Sequence, residues 1–502
     1  MTGQLVTTAY GQLQGEDSGG VNVWRGIPFA APPVGELRFR APQPPEPWNA
    51  VREAKEFGPV SLQPVSTSGT RFGGSNPVYS EDCLYLNVWS PAAAQEDALP
   101  VMVWQEDALP VMVWIHGGTF VTGAGSQPMF DGANMAASGR VVLVTVNYRL
   151  GPLGFMHLSP LGTGLGSNLG LLDQIAALEW VQENIAAFGG DPGNVTVFGE
   201  SAGSMSIAAL LAMPAAKGLF SRAIMESGAG QSLSGQQGEQ IAAAFLAELG
   251  LQPGGDTQLL HTLPALQIME AAGRMAYKLS GNSLSMYFQP VIEPLTLPVE
   301  PAQAVREGAA SGIPLLIGTN LHEGNLFFRE GQAGESFDRS LKSLELLMGI
   351  EDLSELTSDY SKTWEGQAEV LTDLFFWASS ISFAEKQLDH APVWMYRFDW
   401  TVTGHPLLEK AIHGAEILYV FNNLPLLKQY GLTVTPEMAG VAEAMQRAWT
   451  AFAHCGDPSA PELAWPQYTP EQRVTLLFDQ VSRVVNDPDG EKRRRIFEHY
   501  AG

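Results

Sequence analysis

Ser201 lies between small residues in Gly199-Glu200-Ser201-Ala202-Gly203, directly behind the apolar run Val195-Thr196-Val197-Phe198. The spacing predicts a strand, a tight turn and then a helix over 202–213, a stretch rich in Ala, Leu and Met. That setting holds a serine on a crowded turn with its hydroxyl exposed, and bulky neighbours would clash there. The chemistry on offer is nucleophilic attack on a carbonyl. A serine hydroxyl is a poor nucleophile until a base takes its proton and an acid orients that base.

Both partners have candidates downstream. Pro314-Leu315-Leu316-Ile317-Gly318-Thr319-Asn320 reads as a buried strand, and the loop after it carries His322, Glu323 and Gly324. Val393-Trp394-Met395-Tyr396-Arg397-Phe398 reads as another strand, followed by a loop with His405 and then Ala411-Ile412-His413-Gly414-Ala415-Glu416. The order Ser, acid, His is the one that α/β-hydrolases use.

Upstream, the apolar run Val111-Met112-Val113-Trp114-Ile115 enters His116-Gly117-Gly118-Thr119-Phe120. Two glycines let the backbone turn N–H groups toward a developing oxyanion, often the largest contribution to acyl transfer. The N–H of Ala202, after the nucleophile, is a further donor.

These motifs resemble the type B carboxylesterases of the cholinesterase and carboxylesterase group, with its bacterial para-nitrobenzyl esterase branch. The resemblance covers nearly the whole chain. It includes Phe29-Ala30-Ala31-Pro32-Pro33-Val34-Gly35, Arg38-Phe39 and Ser80-Glu81-Asp82-Cys83-Leu84-Tyr85-Leu86-Asn87. It continues through Asn147-Tyr148-Arg149, Asn168-Leu169-Gly170-Leu171-Leu172-Asp173-Gln174 and Phe188-Gly189-Gly190-Asp191-Pro192. The resemblance implies a single α/β-hydrolase domain over 1–502, a large, mostly parallel twisted sheet with helices on both faces. It implies a triad of Ser201, Glu323 and His413, an oxyanion hole of Gly118, Thr119 and Ala202, and no metal or cofactor. Many relatives have a third glycine where this chain has Thr119; the N–H survives the change but the wall of the hole is bulkier.

Several neighbours have plainer readings. Glu330 and Asp338 are loop carboxylates that face water, and His405 is a solvated loop histidine before Pro406. His116 braces the oxyanion loop, which Gly117 helps to form. By the resemblance Glu200 is buried beside the triad in a supporting role, and Ser227 is a buried hydrogen-bonding residue. Arg38 with Glu81, and Arg149 with Asp173, match positions that pair in the family, and both pairs are structural. Met286, Tyr287 and Phe288, or Phe327 and Phe328, could line an apolar pocket or belong to the ordinary core.

Composition agrees with an enzyme of small molecules. The 502-residue chain is 45% hydrophobic, ample for a large core, and no linker separates its halves. A net charge of −25 and a pI near 4.7 exclude the basic footprint of a nucleic-acid binder. The one basic run, Lys492-Arg493-Arg494-Arg495, reads as a solvated face of a terminal helix, where positive charge suits the helix dipole. Two cysteines, Cys83 and Cys455, cannot build the disulfide framework of secreted relatives. The N-terminal residues lack a leader pattern, and no apolar stretch is long enough to span a bilayer. The expectations are a bacterial, cytoplasmic monomer or weak oligomer acting on a small uncharged ester, with no nucleic-acid or membrane partner. An amidase, thioesterase or carbamate hydrolase would use the same triad. A non-catalytic binding protein of this fold would have lost the serine.

One feature stands apart: residues 95–104 are repeated letter for letter as 105–114. Two short copies make no solenoid. The second copy is continuous with Ile115-His116-Gly117-Gly118 and is expected to supply the strand, leaving the first as an inserted loop.

Overall fold

Short apolar runs buried along their whole length, each too short for a core helix, are the mark of strands covered on both faces. In the computed structural model they form one sheet. It describes residues 4–64, 77–92, 108–162, 164–252, 255, 258–279, 286–328, 330, 336–350, 352–405 and 408–499. In chain order the strands are β1 (Glu16–Asp17), β2 (Val21–Pro28), β3 (Tyr85–Pro91), β4 (Leu109–Ile115), β5 (Val142–Val146) and β6 (Gly190–Glu200). They continue as β7 (Arg222–Glu226), β8 (Leu315–Asn320), β9 (Val393–Phe398), β10 (Val474–Phe478) and β11 (Arg483–Asn486).

Their spatial order is β11-β10-β9-β8-β7-β6-β4-β5-β3-β2-β1. The strands from β5 to β10 pair in parallel, and the outer strands pair antiparallel. This is the α/β-hydrolase sheet. After β5 the chain crosses to the far side of β4 to make β6, so the strand order reverses there. Ligand sites of open α/β sheets sit outside the strand ends at such a switch.

Side-chain alternation along β4 serves both faces. Val111, Val113 and Ile115 join one core with the helices α1 (Leu169–Asn184) and α2 (Ala202–Ala212). Met112 and Trp114 join the other, under the long helix Pro436–Cys455. Trp114 packs there against Phe198, Phe130 and Phe421, with ring centroids 4.8–5.0 Å apart.

The two expected ion pairs form, each as a two-pronged guanidinium–carboxylate contact. Arg38 meets Glu81 at 2.5 and 2.7 Å, and Arg149 meets Asp173 at 2.8 and 2.6 Å. The end of the second ten-residue copy lies in β4 as expected, whereas the first copy, 95–104, lies outside the described residues. Cys83 is buried, Cys455 is exposed, and both are free thiols. Among the described residues no helix is long and apolar enough to cross a membrane.

Two expectations are corrected. Asp338 lies in the first turn of a helix, Phe337–Met348, rather than in a loop, and pairs with Lys362. The run 492–495 is not a plain solvated face. It begins in the first turn of the helix Gly490–His499, where the dipole opposes positive charge, and ends at its middle rather than in its last turn. Carboxylates balance it instead: Lys492 meets Glu369 and Asp373, Arg493 meets Asp487, and Arg495 meets Asp359. Glu369, Asp373 and Asp359 lie far away in sequence, so no local pattern announces them.

Candidate active site

Ser201 sits at the turn between β6 and α2 with φ 57° and ψ −121°, a strained conformation for any residue but glycine. Packing imposes the strain. A Cβ on Gly203 would stand 1.9 Å from the carbonyl oxygen of Ile115, and one on Gly199 would stand 2.6 Å from the same atom. The helix therefore starts pressed against the end of β4, and only small residues fit around the serine. Two backbone bonds pin it: Ser201 N donates to Glu226 O at 2.8 Å, and Met205 N donates to Ser201 O at 2.9 Å.

Ile115 of β4 is in register with Gly199 of β6, so the loop after β4 arrives beside the serine. A Cβ on Gly117 would lie 2.5 Å from Glu200 Oε2 and 3.0 Å from Ser201 Cβ. Gly118, Thr119 and Phe120 all have positive φ, 113°, 55° and 60°. The Thr119 hydroxyl folds back to donate to Gly118 O at 2.7 Å. The N–H groups of Gly118, Thr119 and Ala202 donate no hydrogen bond to the described residues. Buried N–H groups are rarely left unpaired. Ala202 is buried and Gly118 and Thr119 are half-buried, so donors left without acceptors there are available to an anion.

His116 braces this loop, as expected. Its ring stacks on Tyr148 at 4.4 Å, Nδ1 donates to Gly117 O at 2.8 Å, and Tyr148 donates to His116 O at 2.6 Å. Burial lowers its pKa to about 4, so the ring is neutral.

Glu323 and His413 follow strands farther out in the sheet, β8 and β9, with β7 lying between them and β6. Glu323 follows β8 and is fully buried. Its Oε1 accepts from Asn320 N at 2.7 Å, and its Oε2 lies 2.7 Å from His413 Nδ1. His405, the other histidine of that loop, instead accepts from Leu408 N in a local turn. Glu200, also buried, places Oε1 3.1 Å from His413 Nε2 but out of hydrogen-bond alignment. The imidazole thus stands between two carboxylates. Burial opposes its charged form, but Glu200 and Glu323 together outweigh burial and raise its pKa to about 9. Glu200 is itself raised to about 7, chiefly by burial. The structure brings Glu323, His413 and Glu200 into contact, with Ser201 next to Glu200 in the chain. The Ser201 hydroxyl makes no hydrogen bond among the described residues, and such bonds often tighten only when substrate is bound.

Three residues at the site have no role in the sequence reading. Glu416 accepts from Asn320 Nδ2 and from the Ser227 hydroxyl, which gives Ser227 the buried hydrogen-bonding part expected of it. Glu226 accepts from Trp449 Nε1 at 2.7 Å, and burial raises its carboxyl to about 8. Phe376 packs on the His413 ring with centroids 4.7 Å apart, beside Phe327 at 5.4 Å. The position of Glu226, one residue before Ser227 at the end of a strand, is a signal the sequence held. Phe376 has none. Of the other pocket candidates, Tyr287 and Phe288 are buried in the core, Met286 packs against it, and Phe328 turns away to line a small space with Phe337.

The profile described as Carboxylesterase family matches residues 2–494. A para-nitrobenzyl esterase of Bacillus subtilis (strain 168) is 48% identical over 502 residues, covering 99% of both chains. The solved structure of a thermophilic PNB esterase superposes with a TM-score of 0.93 at 48% identity, over 99% of this chain and 100% of that one. A carboxylesterase of Geobacillus stearothermophilus superposes with a TM-score of 0.84 at 40% identity, over 98% and 99% of the two chains. A profile match over residues 2–494 and 48% identity to a relative across 99% of both chains make this protein a member of the carboxylesterase family.

Proposed function

We propose that this protein hydrolyses carboxylic esters through an acyl-enzyme on Ser201. His413 Nε2 takes the hydroxyl proton as Ser201 Oγ attacks the ester carbonyl. The N–H groups of Gly118, Thr119 and Ala202 receive the oxyanion. The tetrahedral intermediate collapses, the C–O bond to the alcohol breaks, and His413 returns its proton to the departing oxygen. Water then repeats the sequence on the acyl-enzyme and releases the acid. Glu323 holds the ring with Nδ1 protonated and stabilises the imidazolium, and Glu200 adds a second negative charge beside it.

The observation that carries this reading is the 2.7 Å contact of Glu323 with His413 at a site whose three N–H groups lack acceptors. Substrates are small to medium uncharged esters. The aromatic wall of Phe327 and Phe376 favours apolar acyl or aryl groups, and a net charge of −25 disfavours anions. Two free thiols fit a reducing bacterial cytoplasm, and the enzyme acts as a monomer or weak oligomer. The test is hydrolysis of para-nitrophenyl butyrate by the protein and by Ser201→Ala. The variant is expected to lose activity by several orders of magnitude, roughly 10⁴-fold or more. Activity that survives would remove Ser201 from the nucleophile's role. Matched thioester, amide and carbamate substrates should turn over more slowly than the ester.

A further inference from the structure

The C-terminal helix reaches the Glu323–His413 pair through contacts that the reaction above does not use. Residues Leu371–Ala378 form a π-helical turn, every residue of which is buried. Such turns are rare and occur frequently at functional sites. This one touches the loop of Glu323 and the ring of His413 separately. The Thr372 hydroxyl accepts from Gly324 N at 2.9 Å, one residue beyond Glu323. Phe376 lays its ring on His413.

The turn is held from outside through Asp373, which sits between those two residues. Its carboxylate accepts from the Tyr360 hydroxyl at 2.8 Å and stands 3.0 Å from Lys492 Nζ, on the helix Gly490–His499. Lys492 also meets Glu369, at the end of the preceding helix, at 3.2 Å. The Asp373 side chain is only 6% exposed, so without Lys492 it would be a buried charge with no counter-ion. Such a carboxylate either takes up a proton or moves toward water, and here any movement carries Thr372 and Phe376 with it.

We propose that Lys492 and Asp373 are positioning residues for the reaction. Their ion pair fixes the π-helical turn, and the turn fixes the ring of His413 through Phe376 and the loop of Glu323 through Thr372. This inference rests on the assignment of Glu323 and His413 under the proposed function. Misplacing a reacting group by about 1 Å costs up to about 100-fold in rate, and a loosened ring should cost part of that.

The experiment is steady-state hydrolysis of para-nitrophenyl butyrate from pH 5 to 9, well below each variant's melting temperature. The variants are Lys492→Met, Lys492→Arg, Phe376→Leu and the double variant Lys492→Met with Phe376→Leu. Lys492→Met is expected to lower kcat about tenfold with KM within about twofold, and to displace the acid limb of kcat/KM. Lys492→Arg should restore both to within about twofold, because the charge returns. In the Phe376→Leu background Lys492→Met should cost clearly less than it does alone, since one of its two routes runs through Phe376. A Lys492→Met protein that melts lower but keeps kcat and the acid limb would overturn the proposal, as would fully multiplicative losses in the double variant. Should Lys492→Met not fold, Asp373→Asn removes the buried charge and keeps an acceptor for Tyr360. Its kcat should fall the same way, and an unchanged kcat would overturn the proposal. Failure of the site reading is separate, for it would show as surviving activity in Ser201→Ala.

Discussion

Glu200 Oε1 lies 3.1 Å from His413 Nε2, the ring nitrogen proposed to serve Ser201, while Glu323 meets the opposite nitrogen at 2.7 Å. A carboxylate in that position raises the proton affinity of the imidazole. In the proposed mechanism it would also stabilise the imidazolium that forms as Ser201 attacks the ester carbonyl, and both effects come from one interaction.

The first prediction follows for Glu200→Gln. His413 works as a base only when neutral, so kcat/KM rises with pH through the apparent pKa of the Glu200–His413–Glu323 cluster and then levels off. Burial pulls the His413 pKa down and the two carboxylates lift it to about 9. Removing one carboxylate should move the acid limb to lower pH by about one unit. The lost stabilisation of the imidazolium should lower the plateau about tenfold, since one pKa unit is about 1.4 kcal/mol. Below the limb the two changes cancel, so variant and parent should converge at acid pH. Parallel profiles that never meet would show that Glu200 acts by another route.

Thr119 is the second case. A β-branched residue at φ 55° is strained by about 1–2 kcal/mol. Glycine relieves that but gives back about 0.4–1 kcal/mol through a freer unfolded chain. Thr119→Gly is therefore expected to melt at the same temperature or slightly higher. The N–H proposed to face the oxyanion is unchanged, so kcat on a small ester should stay within about twofold. A loss of tenfold or more would assign the work to the Thr119 hydroxyl, which bonds Gly118 O.

Glu226 makes a prediction about stability rather than rate. Burial raises its carboxyl from the ordinary 4.5 to about 8, against the pull of the Trp449 hydrogen bond. Between those values the folded protein keeps a proton that the unfolded chain releases. Stability therefore falls as pH rises across that window, by at most about 1.4 kcal/mol per unit. Glu226→Gln keeps an acceptor for Trp449 and removes the titration. Its melting temperature should match the parent near pH 4.5 and exceed it increasingly toward pH 8. Equal melting temperatures at both ends would mean that Glu226 is ionised in the fold.

What sequence made legible here is what is local. Gly199, Ser201 and Gly203 declare a turn because their crowding partner, the Ile115 carbonyl, ends a strand that is itself evident as an apolar run. The Ser, Glu, His order survives because each residue follows its own strand. Contacts that depend on which distant surfaces meet were not legible. Phe376 reaches His413 through a π-helical turn that no periodicity signals. The basic run 492–495 looks solvated in sequence because its partners Asp359, Glu369 and Asp373 come from segments more than a hundred residues earlier. Glu226 directly precedes Ser227 at the end of β7, but its meaning depends on Trp449, in the helix Pro436–Cys455.

The duplicated decapeptide gives the last prediction. β4 draws its residues from the second copy and is paired along both edges, with β5 on one side and β6 on the other. No slot for a further strand of the same sequence exists between them. Deleting residues 95–104 yields the same chain as deleting 105–114, because the copies are identical, and it leaves a complete β4 leading into Gly117 and Gly118. The shortened protein should keep its activity within about twofold, a loop-length change itself costing only about 0.6 kcal/mol per doubling. The duplicate also carries a second Val-Met-Val-Trp run, which is β-prone and uncharged, the composition that promotes strand pairing between chains. The deletion is therefore expected to raise the concentration at which the protein stays in solution on incubation. Unchanged solubility and melting temperature would show the second run to be harmless. A loss of activity would show that the site needs both copies, against the pairing of β4 seen here.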